Sequence, residues 1–428
     1  MNIFQKASNF FLVDSKRQYF TVAEQILSSA TSLLASIVVA RYAGLEWLGI
    51  YSFMLVFVSL ANSVTFTLML RQMTLEISTL SQNERCDMFF ATIVMMLVFF
   101  AGIAAVLSIA LVLIPSGHWV FIYQSEIIAC ILIVILGSVF DACKQYFYVT
   151  NNHHRSFFYT LVYSATFVLM LIFSIALSNE NELMNCVLLS FVISFFVSFF
   201  FNSTIRQVLK KAKWHGWDYV SNTFRDFFQH SRYGMGGLLV SWAQSQSIVP
   251  FLMFLAGPLV VGYFSMARLL VMPISVVNQG LMKGITPSLR RTFKEHGLSE
   301  LAQSISKLDL KNLLFSVFYL GALVTGHISG LFHSYVPDYE NVKWFLIMWV
   351  VTLLVTTHRF WLAQYFMVSM QFKYLLKIAL LALCVSLTAM ILLGYGTGNS
   401  HLAFLAVMLG ELVVIYFFYK KQLLQLRQ

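Results

Sequence analysis

"ARYAGLEWLGIYS", residues 40 to 52, closes one long apolar run and opens the next, and "LAGPLVVGYFS", residues 255 to 265, does the same at an offset of 213 residues. Each corner has an Ala-Gly, four intervening residues, a second Gly and then a Ser. Extended without gaps at that offset, "FTVAEQILSSATSLLASIVVARYAGLEWLGIYS" faces "YGMGGLLVSWAQSQSIVPFLMFLAGPLVVGYFS", which sets the first apolar run on the seventh and the second on the eighth. A weaker echo agrees: "QYFYV" at 145 to 149 resembles "QYFMV" at 364 to 368. The chain therefore reads as two six-helix halves, 1–205 and 233–428, joined by a basic segment, 206–232. Six is even, so both halves enter the membrane from the same side, a parallel repeat about an axis along the membrane normal.

The membrane itself follows from composition. Hydrophobic residues make up 59% of the chain and charged residues only 11%, and the mean hydropathy is +0.77. A water-soluble domain needs more charge than this to cover its surface. A transmembrane helix takes about 20 mostly apolar residues. Such runs lie near 19–40, 47–69, 89–114, 119–141, 157–177 and 183–204, then near 234–256, 259–281, 312–332, 343–366, 374–395 and 400–419. Backbone polar groups in lipid must be satisfied within the segment, so the expected fold is an all-α polytopic membrane protein of about 12 transmembrane helices.

Lysine and arginine set the orientation, because cytoplasmic loops hold the excess. With both termini inside, every one of the 28 basic residues falls on the cytoplasmic side except Arg41 and Lys343, in or beside outside loops, and Arg268 and Arg359, within spans. This bias accounts for the net charge of +10 and leaves no reason to invoke nucleic acid. The outside loops are short, so no extracytoplasmic domain is expected to host chemistry. The first apolar run is full length and lacks a small-residue cleavage site, which argues against a cleaved signal peptide. The five cysteines are scattered, and no disulfide framework is expected. The segment "RQVLKKAKWHGWDYVSNTFRDFFQHSR", 206–232, mixes aromatic and charged residues; it reads either as a helix along the inner interface or as a solvated linker.

Enzyme chemistry finds little support. There is no GxxxxGK[ST] phosphate loop, His153 and His154 are adjacent in an inside loop and poorly spaced for a metal, and no cofactor is implied. A membrane polysaccharide polymerase would be expected to carry a large outside loop. Two halves flanking a cleft suit a transporter working by alternating access.

The first corner resembles the first loop of Wzx-type polysaccharide flippases, in the MOP superfamily that also holds MATE exporters and lipid II flippases. The Arg-x-x-Gly and Gly-x-Tyr of that loop are matched by Arg41, Gly44, Gly49 and Tyr51, and "ITPSLRR", 285–291, is similar to the Pro-containing segment after the eighth span. The resemblance implies movement of an undecaprenyl-diphosphate-linked oligosaccharide across the bacterial inner membrane, as in O-antigen and lipopolysaccharide biosynthesis. The implied partners are that lipid-linked oligosaccharide, membrane lipids, and polysaccharide polymerase and chain-length proteins. Arg41, in the matched corner, becomes a substrate-binding candidate. A MATE-like cation or drug exporter is the alternative within the same fold.

Charges inside spans are the other site candidates, since burying one in lipid is costly unless it faces a cavity or a partner. Arg268 lies about ten residues into the eighth span, roughly 15 Å deep, where its guanidinium either grips a diphosphate or acidic sugar or pairs with an acid such as Glu411. Arg359, beside His358, either receives the diphosphate from the inner leaflet or snorkels to the interface. Glu24 in the first span and Glu411 in the twelfth are candidates for ion coupling or for structural ion pairs; Glu126 lies in the outer part of the fourth span and Asp141 at its inner end. Gln244, Gln246 and Trp242 in "SWAQSQS" either bind sugars or join helices.

Overall fold

The computed structural model describes residues 15–77, 80–113, 124–177 and 180–426, and among them every regular element is helical. The chain runs α1 (Ser15–Val38), α2 (Leu45–Thr65), α3 (Arg71–Ile77), α4 (Gln82–Leu113), α5 (Gln124–Val149), α6 (His153–Leu177), α7 (Glu180–Phe201) and α8 (Ser203–Lys211). It continues as α9 (Trp217–Gln246), α10 (Ile248–Ala256), α11 (Pro258–Ile328), α12 (Leu331–Tyr335), α13 (Tyr339–Val368), α14 (Phe372–Ala389) and α15 (Ser400–Leu426). π-helical turns cover Val39–Ala43, Phe66–Leu70 and Met390–Tyr395. Helix α11 is interrupted at Gly297, whose φ of 78° and ψ of −165° leave the helical region.

Eleven of the described helices are long and apolar enough to cross a membrane, and the pair Gly234–Gln246 and Ile248–Ala256, bent by 43° at Ser247, brings the number to twelve if it is one broken span. Phe201, Phe318 and Ile328 are more than 70% exposed. So many bare apolar side chains would drive a protein in water to aggregate, whereas acyl chains solvate them. The chain is a multi-pass membrane protein.

Span limits shift where charge is paired inside the protein. The fourth span, expected near 119–141, lies at Ile128–Val149; Asp141 and Lys144 lower the local hydropathy, yet Lys144 sits on a buried carboxylate, so the helix continues past them. Residues 114–123, which include the expected start of that span, lie outside the described residues, as do 178 and 179. Residues 206–232 are helical apart from the stretch between Lys211 and Trp217, and "ITPSLRR" is part of the α11 helix.

The chain packs into two compact units, Met1–Ala35 with Phe57–Leu238, and Ser36–Val56 with Leu239–Gln428. The first unit is held by an aromatic ladder among α5, α6 and α7: Phe140 stacks on Tyr159 with centroids 4.5 Å apart, Tyr163 on Phe195 at 4.8 Å, and Phe167 meets Phe191 at 4.4 Å. Rings of this size dominate burial and interlock at offset angles. The second unit centres on Trp361, Tyr365 and Phe366 of α13, Leu301 and Ile305 of α11, and Phe418 of α15.

Both repeated corners lie in the second unit, and they fold alike. Gly44 and Gly257 turn the chain with φ of 94° and 83°, a region that side-chained residues avoid. The carbonyl of each accepts the N–H four residues on, Leu48 at 3.1 Å and Val261 at 3.4 Å. The second glycines then pack reciprocally. A Cβ on Gly49 would stand 1.8 Å from the Pro258 carbonyl oxygen, and one on Gly262 would stand 1.9 Å from the Leu45 carbonyl oxygen. Leu45 and Pro258 are themselves equivalent positions at the 213-residue offset, so each corner lays its glycine on the first residue of the other's helix. Only glycine permits backbones so close.

Candidate functional site

The polar residues of the second unit gather where α9 bends into α10. Gln244 is buried, and its Nε2 donates to Glu411 Oε1 at 3.4 Å. Glu411, on α15, is held by Arg359 of α13, with Nε 2.5 Å from Oε2. Two positions on, Gln246 Oε1 accepts from Arg268 Nη1 at 3.4 Å. Residues two apart on a helix point about 200° away from one another, so the two glutamines serve different neighbours, one the Arg359–Glu411 pair and the other Arg268.

Arg268 is a different kind of cation from Arg359. Its guanidinium carbon lies 5.8 Å from the centre of the Trp349 ring, in range for a cation–π contact. Trp349 is fixed in turn: its indole N–H donates to the Phe264 carbonyl at 3.2 Å, and its ring packs on Phe264 and Phe404, each at 5.1 Å. Among the described residues no carboxylate pairs with Arg268. Its surroundings, an amide oxygen and an aromatic face, orient the guanidinium without neutralising it. Glu411, the acid that sequence reasoning offered as its partner, is engaged by Arg359 instead.

Beside Arg359, His358 links two further elements: its Nδ1 is 2.5 Å from Asp309 Oδ2 on α11, and its Nε2 is 2.8 Å from Tyr419 OH on α15. One turn beyond Asp309, buried Asn312 makes no side-chain hydrogen bond among the described residues, nor does Ser316 one turn further. Asn278 reaches Thr357 at 3.4 Å. Sequence reasoning missed these polar positions on α11. The spacing Asp309, Asn312, Ser316 places them on one helical face and is the signal that could have found them.

In the first unit, Glu24 is 2% exposed. Its Oε1 is 2.9 Å from Lys144 Nζ, and its Oε2 accepts from Tyr148 OH and Ser156 Oγ, each at 2.7 Å. Lys144 also lies 3.8 Å from Asp141. Glu126 is buried at the start of α5. Of the remaining candidates, Arg41 is exposed on the π-turn before Gly44, and Trp242 is half-buried on α9. Among the described residues, no three His, Cys, Asp or Glu side chains group as a metal site.

No family model matches the sequence, and no curated protein does. Solved structures do match the fold. A mutant form of the Vibrio cholerae MATE transporter VcmN superposes with a TM-score of 0.64 at 15% identity, covering 98% of both chains. A multidrug resistance MATE family transporter of the MOP superfamily, in an outward-facing conformation, gives a TM-score of 0.61 at 13% identity, over 96% of this chain and 95% of that one. A MOP superfamily transporter from Pyrococcus furiosus, described as having a binding pocket of reverse polarity that suggests a different function, gives 0.59 at 12% identity, over 95% and 94%. The chain has the fold of MATE transporters along essentially its whole length.

Proposed function

We propose that the protein is a transporter that flips an undecaprenyl-diphosphate-linked oligosaccharide across the bacterial inner membrane by alternating access between two six-helix halves, with both termini in the cytoplasm. The observation that carries this reading is Arg268, a span-embedded guanidinium oriented by Gln246 and Trp349 and lacking a carboxylate partner among the described residues. A guanidinium keeps its charge in a low-dielectric site and binds phosphate oxygens through a two-pronged fork. A cation held in this way repels cationic drugs and attracts anions. Trp349 and Gln246 beside it add a face and an amide suited to sugar rings and hydroxyls. The matched corner around Arg41, Gly44, Gly49 and Tyr51 supports the same reading, and the reverse-polarity description of the Pyrococcus furiosus transporter fits a fold that takes more than one class of cargo.

In this scheme Arg268 holds the diphosphate or an acidic sugar, Gln244, Gln246 and Trp242 contact sugars, Arg359 receives the head group from the inner leaflet, and Glu411 is the group through which an ion would couple, while Glu24, the other coupling candidate, serves as a structural ion pair with Lys144. A MATE-like exporter is the second reading, favoured by the fold of the matched transporters. A strain lacking the gene separates the two. Lost surface polysaccharide with single lipid-linked repeats accumulating in the inner membrane is the expected result, and unchanged polysaccharide with altered sensitivity to cationic drugs would replace the flippase with the exporter. Restoring Arg268→Ala to that strain is expected to leave export impaired at wild-type abundance, with Arg268→Lys partly active.

A further inference from the structure

The first unit carries a cavity that the transport scheme does not use. Helix α8 leaves α7 through Asn202, whose side chain accepts the Ile205 N–H at 3.1 Å, and it buries Ile205 and Val208. Its other face exposes Arg206, Lys210 and Lys211, and exposed Lys213, Trp214 and Trp217 follow. Asp87 pins this segment down: one carboxylate oxygen accepts the Lys213 N–H at 2.7 Å, and the other is 2.7 Å from His215 Nε2. Trp214 packs edge-on against Phe90 and Trp217, with centroids 6.1 and 5.3 Å away. Exposed tryptophans beside lysines are the pattern of a membrane–water boundary, and the candidate spans His153–Leu177 and Glu182–Phe201 begin and end at this level.

Where α8 starts, the end of α7 and the start of α6 frame an open cavity of about 340 Å³. Its polar wall includes Arg155, Ser203 and Thr204, with Ser198 and Asn202, and its apolar wall includes Phe158 and Phe201, which are 56% and 75% exposed. Arg155 donates one bond to Thr204 Oγ1 at 2.7 Å. A guanidinium has five N–H donors, so this one bond leaves most of its hydrogen-bonding capacity for a ligand. The cavity thus joins a cation and two hydroxyls to bare aromatic walls at the depth where lipid head groups meet acyl chains.

We propose that this cavity binds an anionic phospholipid, with the phosphate on Arg155, Ser203 and Thr204 and the first acyl segment along Phe158 and Phe201. The charges complement one another, since among the described residues the one ionised side chain lining the cavity is the Arg155 guanidinium, and the aromatic walls have no use for a free phosphate. The site is separate from the groups assigned to cargo, so it stands or falls independently of what is transported.

The test is lipid retention by the full-length purified protein, read by native mass spectrometry after exchange into phosphatidylglycerol or phosphatidylcholine. Wild type is expected to prefer phosphatidylglycerol, and Arg155→Ala to lose about fivefold of that preference, the contribution of one basic residue at an anionic surface. Ser203→Leu, which fills the cavity and leaves every charge in place, is expected to lower retention by a similar factor and carries the test if Arg155→Ala does not fold. Lys211→Ala, outside the cavity, is expected to retain the preference. Full preference in Arg155→Ala, or wild-type retention in Ser203→Leu, overturns the site. Equal losses from Arg155→Ala and Lys211→Ala would mean diffuse surface charge and overturn it too, as would displacement of the lipid by inorganic phosphate.

Discussion

Glu24 and Glu411 are almost equally buried, 2% and 3% exposed, yet they are satisfied in opposite ways. Glu24 takes an ammonium and two hydroxyls, from Lys144, Tyr148 and Ser156, all within 2.9 Å and drawn from the two helices α5 and α6. Glu411 relies on one close cation, Arg359, and on an amide 3.4 Å away. A carboxylate with three short partners ties α1, α5 and α6 together and loses only part of its support when one partner goes. A carboxylate with one strong partner is released whenever that partner turns to a competing anion. The first arrangement suits a joint and the second suits an exchange, although both residues looked alike as isolated acids in apolar runs.

The largest effect expected from breaking this contrast is Lys144→Met. It strips the one cation paired with Glu24 among the described residues, and removing one partner of a buried ion pair costs about 3–5 kcal/mol because the charge left behind has lost its compensation. The apparent melting temperature of the detergent-solubilised protein should drop accordingly, and Glu24→Gln in the same background should restore much of the loss. A melting temperature unchanged by Lys144→Met would show that the ammonium does not support Glu24.

A middle-sized effect should separate stability from transport in the second unit. Arg359→Gln and Glu411→Gln should each destabilise, and the double variant should recover part of the loss, with a coupling of about 1–3 kcal/mol. Export by Arg359→Gln should fall further than its abundance does, because the arginine is assigned both a partner and a cargo. Export that tracks abundance in all three variants would make the pair purely structural and erase the distinction from Glu24.

How much of this was legible depends on whether the signal lies along the chain or across it. The corners are repeated within the sequence, so Gly44 with Gly257 and Gly49 with Gly262 could be matched from letters alone, and the all-helical membrane fold follows from apolar runs of span length. The reciprocal packing of Gly49 and Gly262 needed coordinates, since an offset says nothing about contact. The partners of buried charges were hidden for the same reason. Lys144 counted as one more cytoplasmic lysine, because its carboxylate lies on a helix 120 residues earlier and a sequence does not give the register of one span against another. Arg268 and Glu411 looked like natural partners by depth, but Arg359 reaches Glu411 from α13. Asp309 and Asn312 were passed over because the apolar run was expected to begin only near 312, whereas the span covers Thr292–Ile328, and Ser316 because one hydroxyl barely lowers the hydropathy of a long span.

The smallest effect, Ser156→Ala, is the most direct measure of redundancy at Glu24. It removes one hydroxyl donor, the Oγ 2.7 Å from Oε2, and that same oxygen still accepts from Tyr148. Deleting one hydrogen bond to a charged group costs about 1.5–3 kcal/mol when nothing replaces it. With Tyr148 and Lys144 in place, the loss should sit near the bottom of that range, about 1.5 kcal/mol, and export should stay at the wild-type level because the joint is kept. The matching change in the second unit, Gln244→Ala, removes the longer 3.4 Å contact to Glu411 and should cost less in stability but more in export. A Ser156→Ala loss as large as that of Lys144→Met would mean that Glu24 depends on all three donors together, and the contrast between joint and exchange would then rest on cooperativity and not on the number of partners.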